Sequence, residues 1–408
     1  MNLRAKALLL TLVGVTSCAA ISYAQDIAVF APRPARIVDG TNTSQARLYP
    51  NEMPVATVGD YSVLIAIGKE GVAIGGGLLV DFPKSWFTNP FPLIKPVQLD
   101  APEAPHYMEC KTYRAGATLE KSIDRSNFDG SIERFRKVVK LVVRDHPLFE
   151  GDTVRVTFRN TTSPIASGSD TIRVAIDAKG DEKFVLATGA PYHVHPGPAA
   201  HAVLVAPSDA VVGEPAELHV ALLDAFFNLS EGFTGDLAVT GVPGGQLPIS
   251  MGTGRSIAKT TWTPAEPGYV FPELTGDINA FGGPVRVHAS PPARRVYWGD
   301  LHSHSDDSKD AIGHDPWGYA RDVTRLDFFG PSEHGIDDGG GDSISPSEWQ
   351  QNIDDVIRYY DPGRFVSLLG YECSLPGGHH NVYYRGVDGV PWPEHRVRTV
   401  ARLRELLA

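Results

Sequence analysis

The stretch RVYWGDLHSHSDDSKDA, residues 295–311, decides how the last quarter of the chain is interpreted. It predicts a β-strand that ends at two histidines, His302 and His304, followed six residues later by Asp310. Because alternate side chains of a strand share a face, both imidazoles point the same way, as two ligands of one metal ion must. A single motif of this kind more often marks polar residues at a strand end, so a metal site needs support from the later strands.

Strands and helices alternate after this motif. DFFGPSEH (327–334) predicts a second strand, RFVSLLGYE (364–372) a third and HNVYYRG (380–386) a fourth. Helices are predicted around 317–326, from the N-cap Ser345 to about Tyr360, and over 398–407, the second of these on the sequence Ser-Pro-Ser-Glu. This order is typical of parallel βα units, and we expect an α/β module over residues 296–408.

The strand ends repeat the same chemistry. Glu333 and His334 end the second strand, Glu372 ends the third, and the His379–His380 pair opens the fourth. The carboxyl ends of parallel strands meet at one rim, which is where α/β barrels place their active sites. Imidazole and carboxylate ligands together suit zinc, manganese or iron. The sequence therefore predicts a divalent metal site at this rim.

The preceding residues indicate β structure. Residues 25–192 contain short strands rich in Val, Ile and Leu, which predicts a β-rich sandwich or barrel domain. Residues 196–290 continue in the same style, and their length suits an immunoglobulin-like β-sandwich. Between them, the Pro-rich stretch 191–200 is interpreted as a linker, and its His193-Val194-His195 motif as part of that linker because no carboxylates accompany it.

The first 24 residues resemble a secretory signal peptide. Arg4 and Lys6 precede an apolar core, and small residues stand before a cleavage point after Ala24. Export to the periplasm or the medium is therefore expected, with a lipid anchor at Cys18 as the alternative. Without this segment the formal charge falls from −11 to −13, which argues against nucleic acid as a partner. Only Cys110 and Cys373 remain, so no disulfide framework is expected.

The quoted motifs resemble a known superfamily. GDLHSHSDDSKDA, SEH, and GYE followed by HHN are similar to the three opening motifs of the PHP phosphoesterases. A longer set of segments resembles the bacterial domain-of-unknown-function family 3604 more closely still: YWGDLHSHS, YARDV, LDFF, SEH, GYE and GGHHNV. Members of that family are exported and have a β-rich N-terminal part. The resemblance is specific over residues 296–385 and looser before them. It implies a distorted α/β barrel of the PHP type, only part of which is encoded here.

The resemblance also implies a ligand set and an activity. The implied metal ligands are His302, His304, Asp310, His334, Glu372 and His379, with His380 as the alternative to His379. Asp300 and Glu333 are implied to orient ligands, and Asp310 or Glu333 to accept a proton. The implied activity is hydrolysis of a small-molecule or glycan-linked phosphoester by metal-activated water.

One departure from the superfamily pattern keeps a second hypothesis open. The PHP barrel takes its last ligands, including a DxH pair, from strands that this sequence does not reach before Ala408. We therefore expect the site to be partly encoded here. The alternative function is a non-catalytic exported binding protein whose metal module is structural or decayed; a third interpretation keeps the metal but changes the bond to an amide or sulfate ester. Oligomeric state is left open.

Overall fold

The computed structural model describes residues 8–9, 37–87, 97–104, 106–124, 137–252, 254–305, 315–335, 344, 346–375, 378–391 and 397–408. Over these residues the chain is mostly β-strand with few helices, as the sequence predicts. Cys18, Asp310, the N-cap Ser345 and all of the predicted signal peptide except Leu8–Leu9 lie outside the described residues. Of the helices in the described part of the chain, none combines the length and the apolar character that a membrane crossing requires.

Two sheets form the first β unit. Its strands are β2 (Gln45–Tyr49), β3 (Glu52–Pro54), β4 (Val58–Ala66), β5 (Gly77–Phe82), β6 (Met108–Thr112), β7 (Thr118–Asp124), β8 (Lys137–Arg144), β9 (Thr153–Thr162), β10 (Gly168–Asp177), β11 (Val185–Leu186) and β12 (Ala190–His195); β1 (Leu8–Leu9) lies apart. The sheets run β2-β4-β9-β6 and β3-β12-β10-β5-β8-β7, with β11 on β10. Val63 and Ile65 of the first sheet and Leu78 and Val80 of the second share one core, so the unit is a sandwich.

The interpretation of His193-Val194-His195 as linker is wrong. These residues belong to β12, which pairs antiparallel with β10 and parallel with β3. Val194 is buried in the sandwich core, and this apolar position inside an alternating pattern explains why the segment forms a strand. His193 Nδ1 lies 2.9 Å from Ser169 Oγ. The connection to the next unit is therefore shorter than predicted.

The second β unit has three small sheets. Its strands are β13 (His201–Val205), β14 (Asp209–Val211), β15 (Ala216–Leu223), β16 (Leu237–Thr240), β17 (Leu247–Ile249), β18 (Ile257–Trp262), β19 (Gly268–Val270), β20 (Glu273–Gly276), β21 (Ala280–Phe281) and β22 (Val285–His288). The sheets are β13-β15-β18, β14-β22-β19 and β17-β16-β20-β21. Leu218, Val220, Val239, Leu274 and Val285 form a common core between them.

The C-terminal module combines parallel and antiparallel strands. β23 (Gly299–Asp300), β24 (Phe328–Phe329) and β25 (Val366–Ser367) are parallel, whereas β26 (Gly370–Leu375) and β27 (Gly378–Tyr383) form an antiparallel hairpin, with β1 beside β27. The helices are α1 (Pro316–Gly318), which continues into a π-helical turn (Tyr319–Val323), α2 (Pro346–Tyr359) and α3 (Val400–Leu407). The expectation that the fourth strand is another parallel βα strand is wrong, because a two-residue connection can join only antiparallel neighbours.

Local signals in the sequence explain where two of these helices begin. The Asp315 side chain accepts a hydrogen bond from Gly318 N and Pro316 occupies the first turn of α1. The Thr399 side chain accepts one from Arg402 N at the start of α3. The helices then pack on the strands through Trp317, Phe365 and Leu403, which are buried in one core.

The second β unit contacts both the first β unit and the C-terminal module. Asn228 of the second β unit donates to Ile165 O at 2.8 Å and accepts from Ser167 N at 2.9 Å, both in the first unit. Arg325 of the module forms an ion pair with Glu217 at 2.8 Å. Ala221, Leu223 and Val323 form a buried apolar cluster across the same boundary. The module is thus held against the second β unit by both apolar and charged contacts.

Candidate metal centre

The loop after β23 carries the first two histidines, and hydrogen bonds fix its backbone. The Asp300 carboxylate accepts from His302 N at 2.8 Å. Glu333, which is buried, accepts from Ser305 N at 2.8 Å. Asn381 Nδ2 donates to Leu301 O at 2.9 Å. Each of these contacts restricts a peptide beside a candidate ligand, so the two imidazoles are presented from a preorganised loop.

Further contacts tie this loop to the neighbouring strands. Ser332 N donates to Ser303 O at 2.8 Å, and the Tyr383 hydroxyl donates to Leu301 O. Sequence reasoning missed the roles of Asn381 and Tyr383. The HHN motif places Asn381 close to the candidate ligands along the chain, but its partner is 80 residues away.

Glu372 lies at the centre of the histidines. Its side chain is 1% exposed, and Oε2 accepts from His302 Nε2 at 2.9 Å. His304 Nε2 lies 3.5 Å from the same oxygen, and His334 Nε2 lies 3.9 Å from Oε1. His379 Nδ1 contacts Oε1 as well. The structure therefore brings together five of the six ligands that the resemblance implies, and the sixth, Asp310, lies outside the described residues.

Strand pairing explains how distant residues reach this point. Glu372 N donates to Glu333 O and Gly335 N donates to Glu372 O, both at 2.8 Å. This parallel bridge sets His334 beside Glu372. The β26–β27 hairpin then pairs Ser374 with His379 and Cys373 with His380. Consecutive residues of a strand point to opposite faces, which favours His379 over His380 as a ligand.

The electrostatics of Glu372 follow from its neighbours. Burial alone would raise the pKa of this carboxyl group. The hydrogen bond from His304 and the charges of His379, His304 and His334 outweigh burial and lower the pKa to about 2. Glu372 is therefore an anion at neutral pH, which is the state that a metal ligand requires.

The donor set fits a divalent metal ion. Ligand atoms of His302, His304 and Glu372 all lie within 4.8 Å of one another, and they are the group of this kind found among the described residues. Two imidazoles and a carboxylate suit zinc, manganese or iron. His334 and His379 lie at the same carboxylate, so the group can be extended without moving a strand.

A cleft of about 1090 Å³ opens beside His304 and Asp300. Its walls come from all three units: Ile165–Ser167 from the first, Phe226–Leu229 from the second, and Pro316 to Leu326 from the module. No motif in the sequence indicated that the two β units reach the candidate site.

Comparisons with known proteins give only distant likenesses. No protein-family model and no curated protein matches the chain. The solved structure of the Escherichia coli adhesin FdeC is 14% identical over 62% of this chain and 67% of its own, with a TM-score of 0.26. Yersinia pseudotuberculosis InvD is 10% identical over 62% of this chain and 61% of its own, with a TM-score of 0.28. A Clostridium perfringens cohesin module is 10% identical over 38% of this chain and 96% of its own, with a TM-score of 0.23.

Proposed function

We propose that the chain is an exported, metal-dependent hydrolase resembling the PHP-type phosphoesterases and the bacterial domain-of-unknown-function family 3604. The observation that carries the proposal is the convergence of His302, His304, His334 and His379 on the buried carboxylate of Glu372. These residues lie in or shortly after four strands, β23, β24, β26 and β27, and imidazole and carboxylate groups gathered in this way are the donor set of a divalent metal site.

The residues divide into ligands and positioning groups. His302, His304 and Glu372 would hold a bound ion, and His334 and His379 lie close enough to the same carboxylate to take part. Asp300 and Glu333 fix the ligand loop through its backbone amides, as the outer partners of metal ligands do. A bound zinc, manganese or iron ion supplies an activated water and neutralises charge on the phosphoryl oxygens. Asp310 and Glu333 remain the proposed proton acceptors.

The substrate class follows from the resemblance, and the proposed compartment from the signal-peptide pattern of residues 1–24. A phosphoester carries charge on its oxygens, which a divalent cation stabilises as the ester bond breaks. Cys373 is fully buried beside Glu372 and acts as a small apolar side chain.

The test is metal content by mass spectrometry on the purified chain. We compare the wild type with a His302→Ala/His304→Ala double variant and with a His193→Ala/His195→Ala double variant. The second pair has the same spacing in β12 and serves as the matched control. We expect near-stoichiometric metal in the wild type and the control, and its loss from the first variant.

Hydrolysis is measured on the same samples with phosphate, sulfate and amide model substrates. Cleavage of phosphoesters that follows metal content supports the proposal. Bound metal without cleavage of any ester points to the non-catalytic binding protein. Equal metal content in all three proteins contradicts the assignment of the ligands.

A further inference from the structure

The cleft beside the candidate metal centre has an aromatic wall from the second β unit. Phe226 and Phe227 line the cleft and are 39% and 58% exposed, although large apolar side chains normally bury. His304 and Asp300 line the same cleft at its metal end. An exposed aromatic pair that lines one cleft together with the candidate ligand His304 is the arrangement of a binding site rather than of a core.

The loop that carries the two phenylalanines is rigidly built. Asp224 is fully buried, and its carboxylate accepts from Phe226 N at 2.8 Å, Asn228 N at 3.0 Å and Gly197 N at 2.8 Å. Asn228 then bonds to the backbone of the first β unit at Ile165 and Ser167. Two units therefore hold one loop, and its backbone is fixed before any ligand arrives.

Phe227 has a strained backbone. Its φ of 65° lies in the left-handed region, where a bulky side chain is rarely found. Backbone strain of this kind persists only where the surrounding structure enforces it, and such residues cluster at functional sites. The ring stacks on His201 at a centroid distance of 4.9 Å and an interplanar angle of 7°, which further fixes its orientation.

The charges of the cleft restrict what can lie against this wall. Asp300, Asp315 and Asp322 line it, and none of its described lining residues is Lys or Arg. Asp315 is engaged by Gly318 N and the Tyr359 hydroxyl, and Asp322 by Arg321 and Arg364. A second anionic group on the substrate would meet no Lys or Arg side chain among the described lining residues, so the cleft favours an uncharged group.

We propose that the substrate is a phosphoester with an uncharged aromatic or otherwise apolar organic group, and that Phe226 and Phe227 bind this group while the phosphoryl group lies at the metal end. This rests on the proposed function, which it deepens by naming the substrate class. The phenylalanines are specificity-determining residues in this scheme, contributed by a unit that carries none of the candidate ligands.

The test is calorimetric binding of two non-hydrolysable probes, phenylphosphonate and methylphosphonate, to the full-length zinc-loaded chain. We compare the wild type with Phe226→Ala, which leaves the strained residue 227 unchanged, and with Phe226→Ala/Phe227→Ala. Phe271→Ala is the control, because Phe271 is 61% exposed and does not line the cleft. Zinc content is recorded for every variant.

We expect phenylphosphonate to bind the wild type and the control about 10-fold more tightly than methylphosphonate, since one aromatic contact changes affinity by roughly that factor. The preference should disappear in the double variant while zinc content stays unchanged. Equal binding of both probes to the wild type would overturn the aromatic site and leave the metal-dependent hydrolase standing. Tighter binding of a third non-hydrolysable probe, the cationic 2-aminoethylphosphonate, than of phenylphosphonate would also overturn it, because the aromatic wall would then bind a cation. Failure of both phosphonates to bind the zinc-loaded chain would overturn both proposals.

Discussion

Acidification is predicted to weaken the second β unit through a single buried histidine. His219 on β15 is 3% exposed and faces the C-terminal module. Burial, followed by the positive charges of Arg325 and Lys259, lowers the pKa of His219 from 6.5 to about 4, although Glu217 and the carbonyl group of Val323 act in the opposite direction. The folded protein therefore holds this imidazole neutral at pH values where an unfolded chain protonates it.

The sign and size of the effect follow from that difference. Between pH 6.5 and 4 the unfolded state binds more protons, so stability falls as the pH falls through this window and is fully present above it. A pKa lowered from 6.5 to about 4 corresponds to a loss of about 3 kcal/mol once the pH reaches 4. At pH 5 the loss is about 2 kcal/mol.

Native-state hydrogen exchange of peptides that cover β15 measures the local opening free energy. We compare the wild type with His219→Gln, which cannot titrate, and with His201→Gln, which removes an exposed histidine from the adjacent β13. From pH 7.5 to 5 the wild type and His201→Gln should lose about 2 kcal/mol more than His219→Gln. Parallel loss in all three proteins would refute the assignment of the effect to His219.

Two further substitutions test the loop and the hairpin. Asp224→Ala leaves the backbone amides of Gly197, Phe226 and Asn228 without their carboxylate acceptor. Loss of roughly 3 kcal/mol in hydrogen bonds should accelerate amide exchange at Phe226 and Asn228 by a factor of about 100. Unchanged exchange would show that water replaces the carboxylate freely. Gly370→Ala places a Cβ atom 2.5 Å from the Tyr383 ring and should destabilise the module by about 1–3 kcal/mol in urea unfolding, whereas Gly283→Ala, with no atom within 4 Å, should be neutral. Equal stability of the two alanine variants would contradict the close packing of the hairpin.

The sequence was sufficient to predict those helices and strands whose signals lie in neighbouring residues. The helix predicted to follow Ser345 and the short apolar strands predicted within residues 25–192 depend on capping residues and local apolar patterns, and the structure has α2 at Pro346–Tyr359 and strands such as β4 at Val58–Ala66. The strand-end rule correctly predicts that Glu372 meets His302 and His304, but the predicted strand 364–372 is divided into β25 and β26, and Glu372 lies within β26 and reaches the site through its bridge to His334.

The failures arise where pairing depends on residues far apart in the chain. Whether His193 belongs to a linker or to a strand is decided by β10 and β3, and neither partner is visible in a local window. For the β26–β27 hairpin, the repetition of candidate ligands at strand ends led to the prediction of a parallel strand. The short connection between the two strands, which permits only antiparallel pairing, was not taken into account. No pattern in the sequence predicted that Phe226 and Phe227 line the cleft, since two phenylalanines in a loop show neither helical nor strand periodicity.

The second β unit bears on the candidate metal centre through the strand that precedes it. β23 contains only two residues, which is too short to fix its own position. Trp298, directly before it, donates from Nε1 to Ser208 Oγ at 2.6 Å, and Val296 N donates to Asp209 Oδ2 at 2.9 Å. On the other side, Trp298 N donates to Asp327 Oδ2 at 2.7 Å. The strand that precedes His302 and His304 is thus held between the second β unit and β24, so the position of the two candidate ligands depends on the contact between the C-terminal module and the second β unit.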